Sequence, residues 1–127
     1  MNFKNEKDKM LFFELHIALQ MILTDITNYA KEKHDIDIVI TETVTTPEID
    51  KKLKRTSKAH QHKIAADIRT KNVNVFKLKD IVDYINSKPE WKKYHYERLS
   101  GGKILAYFHI GTAEHLHVAL HSRFAIK

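Results

Sequence analysis

Histidine is the residue of this sequence best suited to chemistry, and the chain of 127 residues contains nine of them. His60 is followed by Asp67, which stands inside the apolar run at 64–68. A carboxylate flanked by apolar residues needs a partner, because an unpaired buried charge is costly. That partner is a metal ion in one interpretation, and the guanidinium group of Arg55 or Arg69 in the other.

A second histidine group lies in the segment 114–121, Glu-His-Leu-His-Val-Ala-Leu-His. The period of two predicts a strand with its leucines and valine on a core face and with His115 and His117 on the opposite face. An exposed polar strand face is the simpler alternative. Taken with His60 and Asp67, however, His117 completes a set of three protein ligands of the kind that catalytic zinc uses, with a fourth position left for water. The sequence has no cysteine, which excludes thiolate ligands and disulfides.

These residues carry a resemblance to a known family. The pattern Ser57-x-x-His60-x-x-Lys63-x-Ala65-x-Asp67 resembles the Ser-x-x-His-x-x-Gly-x-Ala-x-Asp motif of zinc D-Ala-D-Ala carboxypeptidases and dipeptidases and of L-Ala-D-Glu endopeptidases. The segment from Glu114 to His117 resembles the motif that closes their zinc site. The order and the gap between the motifs are similar to those of small phage-encoded members, and the resemblance extends over residues 41–120.

The resemblance implies an activity, a cofactor and a ligand set. The activity is hydrolysis of peptide bonds in the peptidoglycan stem peptide by metal-activated water, with one Zn²⁺ per chain held by His60, Asp67 and His117. Glu114 is the implied general base. His115 is the alternative base, because the first histidine of a His-x-His pair has this role in related metallopeptidases, and the period of two places it beside His117.

Further residues are implied to support the site. Ser57 would hydrogen-bond within its loop and fix His60, and Arg55 or Arg69 would hold the substrate. Lys63 departs from the family glycine: a positive φ there would cost about 1 kcal/mol, and its charge would lie near the metal. Such departures also leave open a member that keeps the metal but catalyses poorly, as a phage structural or assembly protein would.

The elements that must position these residues follow from periodicity and turn residues. We predict a long amphipathic helix over 8–31, a strand from Ile36 to about Thr46 that ends at Pro47, and a loop or short helical turn over 48–63. A strand over 64–68, a helix around 78–85 capped by Asn74, and strands over 104–110 and 115–120 follow, with turns at Gly101-Gly102 and Gly111-Thr112. The expected fold is α+β, DD-peptidase/hedgehog-like, with helices packed on a small antiparallel sheet in one domain spanning 1–127.

The net charge of +6, from 22 Lys and Arg against 16 Asp and Glu, favours an anionic partner such as a cell wall. The basic run at 51–55 leaves a nucleic-acid-binding module as an alternative, although no recognition helix or aromatic RNA-binding signature supports it. The start of the chain has neither a signal-peptide h-region nor a membrane span. We therefore expect synthesis in the cytoplasm, no membrane partner, and action on a host wall if the chain is a phage lysis enzyme. The oligomeric state is not indicated.

Overall fold

The computed structural model describes residues 1–98, 102–109 and 114–127. Within them the α-helices are α1 (Glu6–Leu11), α2 (Ile17–His34), α3 (Pro47–Lys52) and α4 (Val75–Ser87). The strands are β1 (Asn2–Phe3), β2 (Val39–Glu42), β3 (Ala65–Arg69), β4 (Tyr96–Glu97), β5 (Lys103–Ile104), β6 (Ala106–His109) and β7 (His115–Ala119). The predicted α+β class, with helices packed on a small sheet, is confirmed.

The main sheet has the strand order β1-β2-β3-β7-β6, and β4 and β5 form a separate two-stranded sheet. All neighbouring pairs are antiparallel except β1 and β2, which are parallel, so the sheet is mixed rather than purely antiparallel. The short strand β1 was not predicted, because the first residues of the chain are polar. It lies at the edge of the sheet, so only one of its two sides is hydrogen-bonded to a neighbouring strand.

The predicted helix over 8–31 is in fact two helices. After α1 the chain forms a 3₁₀ turn at Phe12–Glu14, and Leu15 is extended with φ −63° and ψ 154°. His16 then caps α2, because its Nδ1 accepts a hydrogen bond from the backbone N–H of Ala18 at 3.0 Å. Phe12 and Leu15 are both buried, so the break turns these two apolar side chains into the core.

Helices α2 and α4 pack side by side and are joined through a half-buried acidic residue. Asp25 accepts hydrogen bonds from the Tyr84 hydroxyl at 2.6 Å, the Lys88 ammonium at 2.7 Å and the Trp91 indole N–H at 2.9 Å. Burial raises the pKa of Asp25, but these three donors outweigh it and hold that pKa below its ordinary value. The predicted cap of α4 is confirmed, since the Asn74 side chain accepts from the N–H groups of Phe76 and Lys77.

The loop predicted over 48–63 begins with α3. Pro47 starts this helix and Thr46 caps it, accepting from the N–H of Ile49 at 3.2 Å. Proline suits the first turn of a helix, because the N–H that it lacks would have no helical partner. The rest of the segment is turns, and it ends at Lys63 with φ +64°, the left-handed conformation that favours glycine.

The C-terminal third has the predicted antiparallel pairing of its last two strands, but the strand predicted over 104–110 is divided into β5, which pairs with β4, and β6, which pairs with β7. Leu116, Val118 and Leu120 are buried, which confirms the predicted core face of β7. The predicted turn at Gly111-Thr112 lies outside the described residues, as does Gly101. Gly102 has φ +82° at the start of β5. Among the described residues, no helix is both long enough and apolar enough to cross a bilayer.

Candidate metal centre

The central strands β3 and β7 bring two of the predicted ligands together. Asp67 and His117 are directly opposite each other in the antiparallel register. Side chains at directly opposed positions stand on the same face of a sheet, at close range. His117 Nδ1 accordingly lies 2.9 Å from Asp67 Oδ1. This face is opposite to the one that carries Leu116 and Val118 into the core.

The third ligand comes from the turns before β3. His60 is buried, and its Nε2 lies 3.4 Å from Asp67 Oδ1. Its other nitrogen, Nδ1, lies 2.7 Å from the carbonyl oxygen of Thr43, to which it donates. The hydrogen bond commits Nδ1 to the carbonyl, so Nε2 is the nitrogen that faces Asp67 and that a metal ion could use. Ligand histidines in metalloproteins are oriented in this way by a carbonyl or carboxylate on the far nitrogen.

Thr43 is itself held in place by α1. The buried carboxylate of Asp8 accepts hydrogen bonds from the Thr43 N–H at 2.9 Å and from its hydroxyl at 2.7 Å. A chain of contacts therefore runs from Asp8 through Thr43 to His60. Neither Asp8 nor Thr43 was identified from the sequence, because the contacts join segments that are distant along the chain.

Together, one ligand atom from each of His60, Asp67 and His117 lies within 4.8 Å of the other two, so this group could hold one metal ion. Two atoms bound to zinc at about 2.0–2.1 Å in a tetrahedron are about 3.4 Å apart, which matches the separation of His60 Nε2 and Asp67 Oδ1. Two imidazoles and one carboxylate are also a donor set that zinc accepts. The residues that the sequence predicted as ligands thus converge.

The electrostatics of the group centre on Asp67, which is only 4% exposed. Burial raises the pKa of this carboxyl, but the hydrogen bonds from His117 and His60 outweigh it, and its pKa falls far below the ordinary range. Burial likewise lowers the pKa of His60, but the Asp67 carboxylate outweighs that effect and raises it. Without a metal the two imidazoles therefore stabilise the Asp67 carboxylate, and a metal cation held by the same three residues would stabilise it as well.

Glu42 is a second carboxylate at the site that the sequence analysis missed. Its Oε1 lies 3.5 Å from His60 Nε2, and it forms a two-point ion pair with Arg55 through Nη1 and Nη2. Strict alternation from Ile38 and Ile40 would direct Glu42 toward the core. An irregularity in the β2–β3 register between 40 and 42 instead sets Glu42 opposite Asp67.

Arg55 lines the cleft, as predicted, but two carboxylates already neutralise its positive charge. Besides Glu42, its Nη1 lies 3.4 Å from Asp50 Oδ1. Among the described ion pairs, those of Asp67 are with histidines and none joins it to an arginine, so Arg55 acts on Asp67 only through its charge at longer range. Arg69, also predicted, is exposed and lines the same cleft.

The three ligands lie in a cleft of about 1020 Å³. Its wall carries several cationic side chains besides the two arginines, namely Lys4, Lys54 and Lys71. Tyr107 also lines it, directly opposite His117 in the β6–β7 register and with its ring 5.4 Å from that imidazole. The sequence analysis predicted the strand of Tyr107 and the strand beside it but did not single out Tyr107, because the register that sets it opposite His117 was not predicted.

Both candidate bases lie in this cleft. His115 Nε2 is 3.5 Å from Asp67 Oδ1, and its side chain is 20% exposed. Glu114 is exposed, and its carbonyl oxygen accepts a hydrogen bond from the Thr70 hydroxyl at 3.2 Å. His115 lies on the same face of β7 as His117, as the alternation of side chains along that strand predicted.

The sequence analysis also singled out Ser57 and Lys63 in the segment around His60. The Ser57 hydroxyl accepts from the N–H of Ala59 at 3.3 Å, so Ser57 does hydrogen-bond within the loop that carries His60. Lys63 was expected to bring a charge near the metal. Its ammonium group instead lies 3.4 Å from Glu14, and Lys63 is not among the described residues that line the cleft.

Comparisons with known proteins add nothing to this geometry: no protein-family model, no curated protein and no solved structure matches the chain.

Proposed function

We propose that this chain is a zinc-dependent peptidase that hydrolyses peptide bonds of the peptidoglycan stem peptide, as a D,D-carboxypeptidase or an L,D-endopeptidase. The observation that carries the proposal is the convergence of His60, Asp67 and His117 on one point in an open cleft. The motif resemblance supports the substrate class. A zinc ion, when bound, supplies a Lewis acid that activates water and polarises a carbonyl group.

The residues of the chain would divide the remaining work. His60 and His117 act as neutral ligands, and the Thr43 carbonyl keeps His60 in the required tautomer. The proton of the attacking water has two acceptors within the cleft. The resemblance implies Glu114, whereas the contact between His115 and Asp67 favours His115.

Substrate binding is better assigned to Arg69 than to Arg55. The guanidinium group of Arg55 is engaged by two carboxylates, Glu42 and Asp50, whereas Arg69 is exposed at the cleft wall. A guanidinium that retains its donors can hold a peptide carboxylate through two parallel hydrogen bonds. The role of Arg55 is then to hold Glu42 beside His60.

The test is hydrolysis of purified stem peptide by zinc-loaded protein, with zinc content measured in the same samples. Wild-type protein should release amino acid or peptide fragments. His60→Ala should lose both zinc and activity. A zinc-loaded wild-type protein that leaves carboxypeptidase and endopeptidase substrates intact would overturn the proposal.

Two matched variants identify the base. Replacing a general base lowers the rate by about 100-fold or more. If Glu114 is the base, Glu114→Gln should show this loss at full zinc content, and His115→Ala should remain active. The opposite pattern assigns the role to His115.

A further inference from the structure

A second cavity, which we call the basic cavity, has no lining residue in common with the metal cleft. It has a volume of about 210 Å³ and lies among the 3₁₀ turn Pro89–Tyr94, the β4–β5 pair and the C-terminal turn. Four cationic side chains line it: Lys92, Lys93, Lys103 and Arg123. The imidazoles of His95 and His121 and the carboxylate of Glu97 complete the wall.

None of the four cations of this cavity forms an ion pair within the described part of the chain, although the Glu97 carboxylate lies in the same wall. No described carboxylate oxygen lies within 4.0 Å of a charged nitrogen on any of the four. Lys88, by contrast, is next to them in sequence and has Asp25 at 2.7 Å. Several like charges that share one cavity repel one another, and an anion placed among them relieves that repulsion.

Two of these side chains are also held in place by neutral contacts. Arg123 Nη2 donates to the carbonyl oxygen of Lys93 at 2.5 Å, and Lys92 Nζ donates to that of Asn86 at 3.3 Å. The backbone N–H of His121 donates to the Tyr94 carbonyl at 2.9 Å, which ties the C-terminal turn to the turn carrying both lysines. A preorganised group of donors loses less entropy when a ligand binds.

His95 provides an independent indication of a ligand. Its side chain is 7% exposed, and its Nδ1 lies 3.1 Å from the Lys103 carbonyl oxygen, to which it donates. Burial lowers the pKa of His95, so the ring is neutral near pH 7. The other nitrogen, Nε2, is buried and has no hydrogen-bond partner in the described structure. Buried polar atoms without a partner are rare, and this one is an acceptor that lacks a donor.

We propose that the basic cavity binds a phosphate-type oxyanion, either free hydrogen phosphate or a phosphomonoester. Phosphate oxygens accept hydrogen bonds from the ammonium and guanidinium groups. The hydroxyl of a singly protonated phosphate group can also donate to Nε2 of His95, provided that neighbouring side chains move to open this buried nitrogen to the cavity. Sulfate offers the same acceptors but carries no proton near neutral pH, so it cannot supply that donor.

The experiment is a calorimetric titration of the full chain with sodium phosphate near pH 6.5, after a chelator has removed metal that would itself bind phosphate. Wild-type protein should show saturable binding with about one site per chain. Lys103→Gln should weaken it about fivefold or more, because one charge-assisted hydrogen bond is lost. Lys103 is exposed, and within the described residues its ammonium group forms no hydrogen bond or ion pair, so this change should leave the fold intact.

Lys79→Gln is the matched control, since it removes one exposed cation of α4 that lines neither the basic cavity nor the metal cleft. It should leave the phosphate affinity unchanged. Sulfate should bind more weakly than phosphate, and glycerol 3-phosphate tests the monoester: tighter binding than phosphate identifies an ester as the ligand, and weaker binding identifies free phosphate. Absence of saturation, an unaltered affinity in Lys103→Gln, or equal binding of sulfate and phosphate would each overturn the proposal.

Discussion

Zinc should stabilise the folded chain through His117, and the size of the effect can be estimated. A ligand present at 100 times its dissociation constant stabilises the native state by about 2.7 kcal/mol. For 127 residues the entropy of unfolding is about 0.27 kcal/mol per kelvin. Zinc at that concentration should therefore raise the Tm of the wild-type protein by about 10 °C.

His117→Ala removes the ligand that lies 2.9 Å from Asp67. Loss of even an outer-shell residue of a metal site weakens binding by about 10–100-fold, so loss of a ligand should reach at least the upper value. At the same zinc concentration the remaining stabilisation is then about 0.4 kcal/mol, a shift of about 1.5 °C. The quantity compared is the shift caused by zinc, because the variant also begins from a lower Tm.

Differential scanning calorimetry of chelator-treated protein, with and without zinc, measures both shifts. His62→Ala is the matched control, since it removes a histidine two residues from His60 that does not belong to the group able to hold a metal. It should keep the full shift. An equal shift in wild type and His117→Ala would mean that zinc binds elsewhere, and no shift in wild type would refute the site.

Three other changes test the structure around the site. Asp25→Asn should destabilise the fold by about 1.5–3 kcal/mol, because hydrogen bonds to a charged acceptor are weakened. The lowered pKa of Asp25 favours the native state above the unfolded pKa of a carboxyl, and this contribution disappears as pH falls through the folded pKa. Urea unfolding at pH 7 and at pH 3 should therefore show a smaller difference between variant and wild type at the lower pH, and equal differences would contradict the reasoning. Lys63→Gly should stabilise the chain by about 1 kcal/mol in the same assay, because it relieves the left-handed φ of +64°. A loss of stability there would mean that the contact with Glu14 outweighs the strain. Asp8→Ala should weaken zinc binding by about tenfold, measured by chelator competition on folded protein, because Thr43 would no longer be held against His60. Unchanged affinity would show that Thr43 needs no such support.

The sequence by itself predicted most of the elements and the three residues that converge on one point. Alternation of apolar and polar residues along β7 fixes which face is buried, because side chains of a strand alternate strictly between its two faces. That rule alone placed His115 and His117 together, opposite Leu116 and Val118. The apolar run around Asp67 required a partner for its carboxylate, whatever the fold.

Only the tertiary structure decided which partner Asp67 has and what surrounds it. The register of β3 against β7 sets His117 opposite Asp67, and no local pattern encodes a register between strands 50 residues apart. Strict alternation along β2 would turn Glu42 toward the core, but the irregularity in this strand directs it to the site. There Glu42 forms an ion pair with Arg55. The break in the helix at Leu15 was also missed, because the helical spacing of apolar residues continues through it. The turn forms there because Phe12 and Leu15 pack into the core, which local spacing does not encode. Local periodicity specifies faces, whereas pairing between distant segments depends on how those faces pack together.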